Sequence, residues 1–335
     1  MKRFCLLCVL LLSVSVVAFA GGSTDGAGEE TYTIKLSHST PEGDQIDLVS
    51  KRFKEIVEAE SDGRITVELY PNQQLGTEQE NVQDVASGSI EMAIIYSGNF
   101  KPFAPSVGIL MLPYIFTSPQ EAWTGMDSIL DDLNERVIEE SGTRIVGYFD
   151  RGFRFLTNSV RPVRTIDDLK GLKIRVSRVD IAIETFKAWG IDPVPMAWAE
   201  VPTALQQRVI DGQENPYATI KSFGFYETQD YVTEIHYLIW TGPMIINNDF
   251  YERLPADLQK VVDKAGREAA ELGRKIALEN EESAKKFVAD KGMEIVGPPQ
   301  DEEIWQERAQ ANWPMFYESS GGEEWVKRGL SLMGR

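Results

Sequence analysis

Residues 256–291 carry one continuous helical pattern, and it restricts the possible folds more than any other feature of the chain. Leu258, Val261, Val262, Ala265, Ala269, Leu272, Ile276, Ala284, Phe287 and Val288 recur at helical spacing, and Pro298-Pro299 lies beyond the end. A helix of that length would run ~54 Å. A lobe built from half of this chain would be only ~35 Å across, about twice a ~14 Å radius of gyration plus a margin. The helix must therefore either break, with Gly266 and Gly273 as candidate sites, or run along two lobes as a brace. The brace is the reading taken here.

The rest of the chain alternates. Residues 31–39 read as a strand, 47–63 as an amphipathic helix, 64–71 as a strand, 77–90 as a helix and 91–97 as a buried strand, a β-α-β-α-β opening typical of an α/β sandwich. Further strands are expected at 142–149 and 171–177, and helices at 179–189 and 199–212.

Residues 1–20 read as an export signal instead of part of the fold. Lys2 and Arg3 precede an apolar run at 4–17, and Ala18-Phe19-Ala20 closes it with an A-x-A cleavage pattern. Residues 21–30 form a small, polar linker. Both cysteines, Cys5 and Cys8, fall inside the signal, so cleavage near Ala20 leaves no thiol for a disulfide, a nucleophile or a metal ligand. Cys8 lies too early to carry a lipid, and the expected product is free in the periplasm. The remaining chain is longer than one core usually holds, so two domains are expected.

The chain has 34 basic and 52 acidic residues, and losing Lys2 and Arg3 makes it more acidic still. That argues against nucleic acid or an anionic membrane as partner. Between Arg151 and Arg178 the balance reverses. Arg151, Arg154, Arg161, Arg164, Lys170, Lys173, Arg175 and Arg178 face only Asp167 and Asp168. Such a window either steers a small anion or balances neighbouring acids, and both readings stay open at this point. Enzymatic templates are missing. His38 and His236 are the only histidines, and there is no HExxH, nucleophile elbow, P-loop or G-x-G-x-x-G opening a helix. No catalysis, metal or cofactor is expected.

In "LKGLKIRVSR" (169–178), Leu172, Ile174 and Val176 alternate with Lys173, Arg175 and Ser177, as in a half-buried strand. Taken in order, "YPNQQLGTEQE" (70–80), "IYSGNF" (95–100), "GFRFLTN" (152–158), "DDLKGLKIRV" (167–176) and "VPMAWAEVPTALQQRVIDGQENP" (194–216) resemble the substrate-binding proteins of tripartite ATP-independent periplasmic (TRAP) transporters, the DctP-like family. The resemblance implies an α/β, two-lobed periplasmic-binding-protein fold (type II-like) of mixed sheets flanked by helices, with the long helix bracing both lobes. The expected lobes are 31–151 plus 241–280 and 152–240 plus 281–335, with the ligand cleft between them.

The resemblance also implies ligand-binding residues. Arg175 would grip a ligand carboxylate with both arms of its fork, which a lysine could not copy. Arg154 would be a second donor, and Asn215 would donate to the ligand and brace the arginine. By register, Trp198 would pack on the ligand, Tyr96 and Asn99 would contact it from the first lobe, and Glu78 would accept from a hydroxyl. His38 would face the cleft, Arg178 would be a third cation and Asp150 a hydroxyl acceptor. Plainer alternatives stand beside several of these: a core role for Trp198, a helix-terminal charge for Glu78, a structural role for His38 and a solvated one for Arg178. The implied partners are a small organic acid and the TRAP membrane permease subunits, with the binding protein a monomer. Hydroxyl-matching groups tilt the expectation toward a sugar acid, such as a uronate or aldonate, over a C4-dicarboxylate. A sensor module for a receptor kinase and an exported hydrolase are the alternatives.

Overall fold

The computed structural model describes residues 30–335, so the expected signal and nearly all of the linker lie outside the described residues. The alternating opening forms β1 (Tyr32–Ser37), α1 (Gln45–Glu60), β2 (Ile65–Tyr70), α2 (Glu78–Ser87) and β3 (Met92–Ile94). Each helix start carries a cap. The Asp44 side chain accepts from the Ile46 N–H, while Thr77 and Glu80 form a reciprocal capping box. Next come α3 (Ser97–Phe100), a 3₁₀ segment at Pro105–Met111, α4 (Pro119–Ser141) and β4 (Thr143–Phe153).

The chain continues through β5 (Phe155–Asn158), β6 (Arg175–Val176), α5 (Asp180–Ala188), β7 (Val194–Pro195), α6 (Val201–Gln206), β8 (Gly212–Asn215), α7 (Tyr217–Ser222) and β9 (Tyr231–Thr233). It ends with β10 (Ile239–Asn247), α8 (Asn248–Arg253), α9 (Ala256–Asp290), β11 (Glu294–Gly297), α10 (Glu302–Gln310), α11 (Trp313–Phe316) and α12 (Glu323–Leu332).

Two mixed sheets result, ordered β2-β1-β3-β10-β4 and β11-β9-β5-β8, with β6 and β7 as a short parallel pair. β1 is parallel to both β2 and β3, and β10 is antiparallel to both β3 and β4. The chain passes between the sheets at two adjoining places. β4 ends at Phe153 and β5 begins at Phe155, so Arg154 is the one residue between them, and its N–H donates to Leu238 O (2.9 Å) just before β10.

The long helix does not break. α9 runs 35 residues, about 53 Å, and lies first on α1 and β4, then on α7. The two glycines proposed as break points instead let the helix approach the sheet closely. A Cβ on Gly266 would sit 2.1 Å from Val146 O, and one on Gly273 would sit 2.8 Å from the Phe149 ring. Near its C-terminal end, Phe287 packs edge-on to Tyr226 (5.5 Å) and Lys285 pairs with Glu234 (2.7 Å).

Three elements are much shorter than the periodicity predicts; of 91–97, only Met92–Ile94 is strand, and Ser97 already begins α3. Only Arg175–Val176 of 171–177 is strand, because its ladder consists of β7 plus an isolated bridge from Ile174 to Gly212. The helix expected over 199–212 stops at Gln206. Arg208 adopts a left-handed conformation (φ 55°), the Val209 N–H turns back to Ala204 O, and Val209 is left half exposed. At the C-terminus, Trp313 donates to Pro113 O and Trp325 to Ser106 O, both at 3.0 Å, so 313–335 packs on the 3₁₀ segment and α4.

Candidate functional site

Arg175 is not on a solvated strand face. It is 3% exposed, and its Nε and Nη2 both donate to a single carbonyl, Met196 O, at 3.1 and 2.7 Å. Met196 is held there by the β6–β7 ladder, through its own N–H to Val176 O. Among the described residues, no carboxylate lies within ion-pair distance of this guanidinium; the Trp198 ring lies 5.8 Å from it. Burial lowers its pKa to about 10, partly offset by the Glu214 charge and reinforced by Arg154, so it is still a cation at neutral pH.

The other buried arginines are already paired. Arg154 donates Nε and Nη2 to the two carboxylate oxygens of Glu214, and Nη2 also reaches Glu214 O (2.8 Å). Burial opposes the Arg154 charge, but the adjacent Glu214 carboxylate outweighs it and raises the pKa. Tyr237 adds a hydrogen bond to Glu214 (2.8 Å). Arg151 pairs with Asp44 at 2.7 Å, both side chains 2% exposed. The positive window therefore dissolves largely into individual bonds: Arg164 pairs with Glu294, Lys170 with Asp167 and Arg178 with Glu200, while Arg161 caps two carbonyls.

The first sheet's side of the site is organised by Glu78, the first residue of α2. It accepts from Ser39 Oγ (2.6 Å), Tyr96 N (3.1 Å) and Asn99 Nδ2 (2.7 Å), tying the segment after β1 to the start of α3. Tyr96 stacks on Trp240 (5.6 Å) and lies beneath the Arg154 guanidinium (4.7 Å). Burial raises its hydroxyl pKa to about 12, so it stays a neutral O–H.

These residues surround a cavity with about 430 Å³ of space between their atoms, its open mouth included. Four buried polar atoms on its lining residues have no hydrogen-bond partner: Tyr96 Oη, Ser177 Oγ, Thr219 Oγ1 and Arg151 Nε. Buried polar atoms are ordinarily satisfied, and eight further unpartnered ones lie elsewhere among the described residues.

Of the ten residues proposed from sequence, the structure brings Arg175, Arg154, Asn215, Trp198, Tyr96, Glu78 and Asn99 to this cavity. Asn215 donates its amide to Gln213 Oε1 (2.5 Å) instead of bracing an arginine. Arg178 lines an adjoining cavity that shares Arg175, Trp198, Glu78 and Asn99, but its side chain is mostly exposed and paired with Glu200 (3.2 Å). Two of the ten do not line either space. His38 is fully buried, with Nδ1 3.2 Å from Thr40 Oγ1 and Nε2 3.7 Å from Asp47 Oδ1, and burial pushes its pKa down to about 4. Asp150 is also fully buried; it accepts from Trp123 Nε1 and from Gly152 N (2.9 Å), and burial raises its pKa to about 6.

Sequence reasoning passed over Ser39, Thr40, Thr219, Phe223 and Trp240, and named Arg151 only within the basic window and Ser177 only within a strand. Two of these carried a readable signal: Asn215, Thr219 and Phe223 are spaced by four, along one face of α7 and its approach.

A family model for bacterial extracellular solute-binding proteins, family 7 (DctP), matches residues 36–320. The chain is similar to the structure of a TRAP periplasmic solute-binding protein from Rhodobacter sphaeroides, in an apo open form, with 48% identity, a TM-score of 0.80, and 90% of this chain and 99% of that one covered. It is also similar to a TRAP solute-binding protein from Roseobacter denitrificans solved with bound L-galactonate (31% identity, TM-score 0.80, 90% and 99% covered). In Escherichia coli K12, the 2,3-diketo-L-gulonate-binding periplasmic protein YiaO is 29% identical over 290 residues, which is 85% of this chain and 88% of that protein.

Proposed function

We propose that this chain, which belongs to the bacterial extracellular solute-binding proteins of family 7, the DctP-like binding proteins of TRAP transporters, captures an aldonate or related polyhydroxylated monocarboxylate beside Arg175. Proteins of this family bind and deliver solutes and are not enzymes, and they work in the periplasm with a TRAP permease.

One observation carries the choice of ligand. The cavity holds a single buried guanidinium without a carboxylate partner, set among hydroxyls and amides that include unpartnered Tyr96 Oη, Ser177 Oγ and Thr219 Oγ1. One free cation matches one carboxylate, and the orphan hydroxyls match ligand hydroxyls. A C4-dicarboxylate would need a second free cation, but Arg151 and Arg154 are committed to Asp44 and Glu214. L-Galactonate and 2,3-diketo-L-gulonate, the solutes of the two relatives above, are acids of this class.

In this reading, the first lobe is 31–151 plus 241–280 and the second is 152–240 plus 281–312; 313–335, expected from the sequence in the second lobe, belongs instead with the first. The Trp313 and Trp325 bonds to Pro113 and Ser106 support that last assignment. Contacts made by the ligand to both lobes favour the closed form, and the closed complex docks on the permease.

Titration calorimetry tests the assignment. Galactonate, gulonate and glucuronate are expected to bind and to raise the melting temperature, while succinate and malate do neither. The reverse order would overturn the sugar-acid reading in favour of a dicarboxylate.

A further inference from the structure

We propose that a second cavity, behind the passage between the two sheets, is a binding site for a small primary amine, with Glu281 as its counter-ion. The site is separate from the one beside Arg175 and does not depend on the sugar-acid reading.

The start of α1, the end of β4, the start of β5, α7 and α9 wall this cavity, which has about 640 Å³ of space between its lining atoms, its open mouth included. Arg151 is the one lining residue that it shares with the cavity beside Arg175. Two of its lining groups lack a donor. Glu281, half-buried on α9, makes no hydrogen bond or ion pair among the described residues. Its carboxylate lies over Gly152, where a Cβ would sit 3.4 Å from Glu281 Oε2. Gln45 is 5% exposed, and its Nε2 donates to Asp150 O (2.8 Å) and Gly273 O (2.7 Å). Two carbonyls can be met only by N–H groups, so these bonds use both amide hydrogens and settle which atom is the oxygen. That oxygen, Gln45 Oε1, is buried without a partner.

The charges around the cavity select a cation. Asp44 is taken by Arg151, and Glu234 by Lys285 and the Tyr217 hydroxyl, which leaves the Glu281 carboxylate unmatched. Lys221 also lines the cavity, but its ammonium lies over the Phe287 ring (5.0 Å). Burial, followed by the like charges of Glu282, Glu234 and Asp150, pushes the Glu281 carboxyl up, and a positive group beside it would relieve that cost. A metal ion is a poor fit, because no group of three His, Cys, Asp or Glu side chains among the described residues is placed to hold one. An ammonium group fits better, with one charge and three donors for the two waiting acceptors. The carbon body of the amine would lie against Phe153, Phe155, Ile276 and Ala277.

The probe is n-butylammonium, with 1-butanol as its uncharged counterpart. In an NMR titration near neutral pH, the amine is expected to shift the Gly152 and Gln45 side-chain amide signals saturably. The dissociation constant should be about millimolar, the range open to a ligand of so few atoms. 1-Butanol is expected to produce no saturable shift. Glu281→Gln keeps the shape and removes the charge, and is expected to weaken amine binding by about tenfold or more. Ala277→Leu fills the cavity and is expected to abolish binding; it decides alone if Glu281→Gln does not fold. Shifts that never saturate, equal shifts from 1-butanol, or unchanged amine affinity in either variant would overturn the proposal and leave the cavity to water.

Discussion

Arg175 spends two of its donors on one backbone oxygen, Met196 O, and offers the remaining edge of its guanidinium to the cavity. A carbonyl fixes the plane of the fork without neutralising it, which an aspartate or glutamate in the same place would do. The arrangement is costly in the empty protein, since a buried cation without a counter-charge is unfavourable. A ligand carboxylate removes that cost on binding.

Arg175→Ala is therefore expected to weaken aldonate binding by about 2–5 kcal/mol, the cost of truncating one partner of a buried charge pair. Arg175→Lys should recover little, because an ammonium cannot keep the two bonds to Met196 O and still present a flat pair of donors to a carboxylate. Calorimetric affinity within threefold of wild type for either variant would remove Arg175 as the anchor.

The Tyr96 hydroxyl is buried with no partner, so removing it has opposite consequences for the free and bound protein. Without ligand, Tyr96→Phe deletes an unsatisfied polar group while keeping the stack on Trp240, and the melting temperature should hold or rise. With ligand, it deletes a hydrogen bond worth about 0.5–1.5 kcal/mol, so the dissociation constant should rise roughly threefold to tenfold. A fall in the melting temperature together with unchanged affinity would mean that the hydroxyl serves the fold and not the ligand.

The reach of sequence reasoning followed the range of the interactions. The α9 repeat is local and long, and it survived intact, glycines included. Arg175 and Asn215 stood in motifs that survive any change of register. The Arg154–Glu214 and Arg151–Asp44 pairs join residues 60 and 107 apart, and no periodicity announces them. They turned an apparently basic window into a site with one free cation. His38 was misplaced for a different reason: β1 ends at Ser37, and beyond a strand's last residue the in–out alternation no longer says which way a side chain points. Glu214 stood inside the quoted "DGQENP" and was passed over because its role depends on Arg154.

The close approach of α9 to β4 makes Gly266 a sensitive position. In an exposed helix, Gly→Ala would add about 1 kcal/mol of stability. Here the new methyl would meet Val146 O at 2.1 Å and Val146 C at 2.7 Å, and neither backbone atom can rotate away. Overpacking of that kind costs about 1–3 kcal/mol, so Gly266→Ala should be net destabilising in a urea titration. Gly273→Ala meets a side chain instead, the Phe149 ring at 2.8 Å, and should cost less. Equal or greater stability in Gly266→Ala would show that the brace does not press on the sheet.

His38 should make the protein acid-sensitive over a defined window. Its pKa is about 4 in the fold, because burial disfavours the imidazolium, against 6.5 in an exposed chain. Between those values the unfolded chain takes up a proton that the folded one refuses, so stability is fully present above pH 6.5 and is lost as pH falls toward 4. The shift corresponds to about 3 kcal/mol. Asp150 acts in the opposite sense over nearly the same range: its carboxyl is raised from 3.8 to about 6, so the fold binds the extra proton and gains stability as pH falls. The two effects partly cancel in the wild type, which is why a single pH profile is uninformative and a variant is needed. His38→Gln removes one of them. Its urea-unfolding free energy at pH 7.5 minus that at pH 4.5 should be smaller than the wild-type difference by roughly 2–3 kcal/mol, whatever the substitution does to stability at neutral pH. Parallel profiles for the two proteins would mean that His38 titrates normally in the fold and that its burial carries no electrostatic cost.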